Sequence, residues 1–185
     1  ASAALYLLGL LPMGWYWHRL LRAMGQHPRL RDTLRAYYAG HLGKYVPGKA
    51  MVVVIRTALL HRSQVEPAVA AVSVFAETLT MMTVGALLAA LILSIFFATH
   101  VGLLLLAIAL MLLSGVPTWP PVFRFLVRRF RVSVIRPSVE SALGGFTWRI
   151  MFLGWGANAL GWAIMGMSYW AVLRSLPIDL PLDSW

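Results

Sequence analysis

Lys44, Lys49 and Arg56 gather around a Pro47-Gly48 break in the stretch Tyr37–Leu60, YYAGHLGKYVPGKAMVVVIRTALL, and a lone carboxylate, Glu77, follows in a long apolar run. Cations beside an interrupted backbone can hold an anion such as a phosphate, because freed N–H groups and side-chain charges act together. A helix that starts just after the break adds partial positive charge of its own. Val46 precedes a proline and is biased away from helix, and Gly48 can take φ > 0. The tip of a hairpin is therefore expected at Val46–Lys49, with Gly40, Gly43 and Gly48 around Lys44-Tyr45-Val46-Pro47. Arg56 lies seven residues beyond Lys49, about two helical turns, so both can face one groove. The plainer alternative is a kink whose lysine stems run along apolar surface to reach water.

Glu77 needs a partner or a proton, because an unpaired carboxylate in apolar surroundings is costly. Lys44, Lys49 and Arg56 are the candidate partners, and a purely structural ion pair is an equal alternative to a substrate role. Thr78, Thr80 and Thr83 beside it are expected to bond to backbone or pack between helices. His61 and Arg62 are read as a solvated face.

The surroundings explain why these charges matter. Hydrophobic residues make up 60% of the 185-residue chain and charged residues 12%, against about 25% charged in soluble domains. Mean hydropathy is +0.76. Thr78–Phe123 and Ile150–Leu173 contain no Asp, Glu, Lys or Arg. A spanning helix needs about 20 apolar residues, so the first stretch holds two spans and the second one. The fold class is all-α, a polytopic integral membrane protein with about four transmembrane helices and a re-entrant or buried hairpin. Interrupted backbone and cations are tolerated at membrane depth only inside protein or a wet cavity, which makes residues 36–62 the candidate working part.

Along the chain, Ala3–Leu20 reads as a first span ending in the aromatic belt Trp15-Tyr16-Trp17, and Arg19–Arg35 as a basic connector. Pro67, suited to a first helical turn, opens a helix to about Phe97. Ala98–His100 turns into a span over Val101–Val116 that Pro117 ends. The connector 118–149 follows, then the span Ile150–Leu173. Arg19–Arg35 and Thr118–Arg149 hold eleven of the sixteen basic residues, which the positive-inside rule places in the cytoplasm. Parity of the crossings is kept only if the Pro-Gly hairpin returns to the side it entered. Within the connector, Val122, Phe123, Leu126, Val127 and Phe130 share one helical face and Arg124, Arg128 and Arg131 the other, an interfacial amphipathic helix. A solvated loop is its alternative.

In the last span Gly154, Asn158 and Gly161 form a small, polar stripe that predicts close helix packing with an interhelical hydrogen bond. Trp155, Trp162 and Trp170 are expected to pack or sit at the interface. Net charge is +10, but no soluble basic face exists for nucleic acid, so anionic headgroups are the expected partner. There are no cysteines, hence no disulfide or thiolate site. No nucleotide loop, nucleophile elbow, helical histidine pair or carboxylate pair is present, so neither metal nor cofactor is called for and no enzyme is expected. A polyprenyl-phosphate glycosyltransferase would need loop carboxylates, and only Asp179 and Asp183 qualify.

Tyr38–Arg56 (YAGHLGKYVPGKAMVVVIR) followed by Phe75-Ala76-Glu77-Thr78-Leu79 resembles the transmembrane region of bacterial lysylphosphatidylglycerol synthases, a region that recurs in flippase-like membrane proteins. The resemblance rests on Lys44, Tyr45, Val46, Pro47, Gly48, Arg56 and Glu77, and covers most of the chain. It implies a flippase-like domain of the bacterial inner membrane that moves or accommodates phospholipid or lipid-linked substrate between leaflets. Substrate binding would fall to Lys44, Tyr45, Pro47, Gly48, Lys49, Arg56 and Glu77. The alternative is a non-transporting module that presents lipid to a fused or partner transferase. Residues 1–185 are expected to be one incomplete domain of a longer protein, with a homo-oligomer compatible with it, and lysyl transfer would need a domain outside this chain. Val54 and Ile55 leave the face before Arg56 apolar, so headgroup choice is open.

Overall fold

The computed structural model describes residues 2–45, 50–96, 100–129 and 137–175, without the side chains of Lys44 and Ala50. Every regular element among the described residues is helical, as the composition requires. In chain order these are α1 (Ser2–Ala23), α2 (Leu30–His41) with a 3-10 turn Leu42–Tyr45, α3 (Ala50–His61) and α4 (Pro67–Phe96). Then come α5 (Val101–Gly115) with a 3-10 turn Val116–Thr118, α6 (Pro120–Arg129), α7 (Pro137–Leu143) and α8 (Trp148–Leu173).

Among the described residues, three helical stretches are long and apolar enough to cross a membrane: Pro67–Phe96, Val101–Thr118 and Trp148–Leu173. The fourth expected span, α1, is less apolar because it carries Trp17, His18, Arg19 and Arg22, yet its 22 residues reach about 33 Å. It runs antiparallel to α8 along its length. Ser168 Oγ donates to Ser2 O at 2.8 Å, and a Cβ on Gly9 would meet Gly161 O. Tyr16 covers Gly154, and Gly145 sits under the Ala23 carbonyl. Small residues let the two backbones approach, which is how helices associate where lipid removes the hydrophobic drive. Gly25, at φ +77°, ends α1 in a Schellman turn, with Gln26 N–H donating to Leu21 O and Gly25 N–H to Arg22 O.

The basic stretch Arg19–Arg35 is mostly helix rather than connector. In α2 the residues Thr33, Ala36, Tyr37 and Gly40 are buried at i, i+3, i+4 and i+7, while Arg31 and Arg35 face outward. Its arginines thus mark the outer face of an amphipathic helix, and the hairpin begins at Leu30 rather than residue 36. Helix α2 runs back along α1, from His18 Nδ1 with Thr33 Oγ1 at 3.2 Å to Tyr38 OH donating to Leu7 O at 2.7 Å. Helix α3 returns. Each arm has 12 residues, about 18 Å, too short for a hydrocarbon core of about 30 Å.

Both ends of the hairpin lie at the same end of the bundle. Ser63 Oγ donates to Asp32 Oδ2 at 3.1 Å, and Glu66 N–H to Gln26 Oε1 at 2.9 Å. The connector 118–149 meets that end too, with Gly145 against the Ala23 carbonyl and Phe146 in one apolar cluster with Leu20 and Met24. Within it Arg124 Nη2 donates to Phe146 O at 2.9 Å, and Phe123 packs on Phe146 with ring centroids 4.9 Å apart. As its periodicity predicts, α6 buries Phe123 and Val127 and exposes Arg128; Arg124 is half-buried instead, and Arg129 is exposed as well. Phe130 and Arg131 lie outside the described residues, as do most of Ala98–His100 and the tail.

Candidate functional site

Arg56 and Glu77 meet inside the protein. Arg56 Nη1 donates to Glu77 Oε2 at 2.7 Å, and Tyr37 OH donates to Glu77 Oε1 at 2.9 Å, so both carboxylate oxygens are engaged. The guanidinium lies over the Tyr37 ring, 4.1 Å from its centroid, and 5.0 Å from that of Trp17. Trp17 in turn donates its indole N–H to Ser73 Oγ at 3.0 Å. Exposure is 3% for Arg56, 1% for Glu77 and 0% for Tyr37 and Trp17.

Four helices contribute to this cluster: Trp17 from α1, Tyr37 from α2, Arg56 from α3, Ser73 and Glu77 from α4. Gly40 makes it possible, because a Cβ there would collide with the Arg56 stem. Arg56 Nε is buried with no hydrogen-bond partner among the described residues. The aromatic faces compensate in part, since cation–π attraction grows when the cation is desolvated. The pair therefore fastens the hairpin to α4 and α1.

The sequence-derived residues divide sharply. Of the three candidate partners for Glu77, the structure pairs it with Arg56. It does not set Arg56 in an open groove. Tyr45 is 77% exposed, in contrast to the buried pair. Pro47, Gly48 and Lys49 lie outside the described residues, as does the Lys44 side chain. Tyr37, Trp17 and Gly40 are the members that spacing did not single out. Their signal was an aromatic three residues before a glycine on one helical face, leaving room for a long side chain.

The remaining candidates are structural. Thr80 and Thr83 bond to Ala76 O and Leu79 O in their own helix. The stripe in α8 does pack closely, with Tyr16 over Gly154, but Asn158 Nδ2 donates to Gly154 O within α8 rather than across helices. Trp162 crosses to α4, donating to Met81 O at 3.1 Å. His61 and Arg62 are exposed, as expected. On the connector, Arg128 pairs with Glu140, whose hydrogen bond and charge raise the Arg128 pKa. No group of His, Cys, Asp and Glu among the described residues could hold a metal ion.

A bundle of apolar spans enclosing a helical hairpin and a buried Arg–Glu–Tyr cluster defines an integral membrane module. The chain belongs to the family described as the lysylphosphatidylglycerol synthase TM region, which it matches over residues 1–184. No curated protein and no solved structure matches it. The family ties this membrane module to lipid handling.

Proposed function

We propose that this chain is a flippase-like module that moves or accommodates an anionic phospholipid or lipid-linked substrate between leaflets of the bacterial inner membrane. The observation that carries the reading is the hairpin: two arms too short to span, both rooted at the arginine-rich end and held in the bundle by the Arg56–Glu77 pair. The positive-inside rule puts that end in the cytoplasm. Lys44 and Lys49 at the tip draw in the headgroup, and the Pro47-Gly48 break shapes the entry. Arg56 and Glu77 fix the hairpin against α4, and separating them frees it to move. Helices α1 and α4 pack against the arms of the hairpin.

Headgroup reversal in proteoliposomes tests this. Lys44→Ala with Lys49→Ala should lower transport without changing unfolding, whereas Arg56→Ala and Glu77→Gln should lower both. Transport equal to the parent in all of them removes the proposed roles. The family's description as the membrane part of a synthase favours a second reading, presentation of lipid to a fused or partner transferase. A parent protein that binds lipid but transports none, and that stimulates such a transferase, would establish that one instead.

A further inference from the structure

Helix α4 carries a continuous apolar stripe on the side away from the hairpin. Ala68, Ala71, Phe75, Leu79, Met82 and Ala86 follow the helical repeat and line two adjoining grooves. The first, about 460 Å³, lies between α4 and α6, closed by Phe123 and Leu126. The second, about 640 Å³, continues between α4, α5 and Trp162 of α8. Leu79 lines both.

We propose that the groove between α4 and α6 seats one acyl chain of an anionic glycerophospholipid, with the headgroup held at Arg129. Three observations carry it. Ala68 to Leu79 covers about 16 Å of helix, close to one leaflet's half of a hydrocarbon core about 30 Å thick. The lining selects the occupant: Ala68, Ala71, Val72 and Phe75 of α4 face Phe123, Leu126 and Val127 of α6, so the groove suits a run of methylenes and offers no partner to a polar group. Charge sets the headgroup. Arg124 and Arg128 are engaged by Phe146 O and Glu140, whereas Arg129 is exposed, forms no ion pair among the described residues, and flanks Leu126 at the groove's edge. The connector 118–149 carries six arginines against one acid, Glu140.

The seat deepens the lipid reading and rests on it only in taking the chain to be embedded among phospholipids. Photo-crosslinking in nanodiscs tests it, using phosphatidylglycerol and phosphatidylcholine that carry a diazirine in one acyl chain. Phosphatidylglycerol should label Ala68–Leu79 and α6 well above the outer faces of α5 and α8. Arg129→Gln should cut that labelling about fivefold, the effect of one basic residue near an anionic surface, and leave phosphatidylcholine unchanged. Ala71→Phe should fill the groove and abolish the site label. Phe75→Ala, at an exposed lip, should shift it toward Val72 without unfolding the protein.

Labelling spread evenly over all lipid-facing helices, indifference to Arg129, or crosslinks to a second copy at this groove would each overturn the proposal. The readout is binding, so transport lost with labelling intact counts against the flippase reading alone. Labelling lost with transport intact counts against the seat alone.

Discussion

Among the described residues are two Arg–Glu pairs of the same chemistry in opposite surroundings. Arg56 and Glu77 have side-chain exposures of 3% and 2%, while Arg128 and Glu140 have 58% and 44%. The first joins α3 to α4, with Tyr37 and Trp17 closing over it; the second links the outer surfaces of α6 and α7. Burial raises the stakes of a charge pair. Both buried partners lose their hydration, and their mutual attraction offsets a cost that either alone would bear uncompensated, whereas an exposed pair trades one hydrated contact for another. The buried pair thus determines where the hairpin sits, and the outer one adorns a helix that Phe123 and Val127 already hold in place.

Breaking the inner pair should have the largest effect. Arg56→Ala or Glu77→Gln should cost about 3–5 kcal/mol by leaving an uncompensated buried group, read as a lower thermal midpoint in detergent. The double variant Arg56→Met with Glu77→Leu should recover part of that loss. Single variants that melt with the parent would show that the hairpin is held by something else. Tyr37→Phe removes one hydrogen bond to the buried carboxylate and should cost about 1.5–3 kcal/mol in the same measurement.

The helix seam sharpens the contrast next. Gly154→Leu pushes into Tyr16 and should cost about 1–3 kcal/mol, while Gly156→Leu meets open space and should leave the midpoint unchanged. The smallest effect belongs to the outer pair. Arg128→Gln should melt with the parent at both low and high salt, measured in matched detergent.

Much of this was legible because the bilayer is a strict solvent. Charge-free runs located α4, α5 and α8, Pro67 marked the start of α4, and alternating apolar and basic positions drew α6. Glu77 stood out as a carboxylate that had to be paired. Arg19–Arg35 misled because arginines on one face of α2 resemble a loop when only charge is counted. Asn158 misled because its amide finds an acceptor one turn back in its own helix, at Gly154 O.

Sequence alone determined the class of molecule, the spans and the need to neutralise Glu77, because hydrophobicity and burial cost act residue by residue. Tertiary structure decided which cation answers that need, that Gly40 makes room for it, and that Tyr37 and Trp17 enclose it. Those choices depend on four helices converging at one depth, and a distance between side chains so far apart in the chain exists only once the helices have packed.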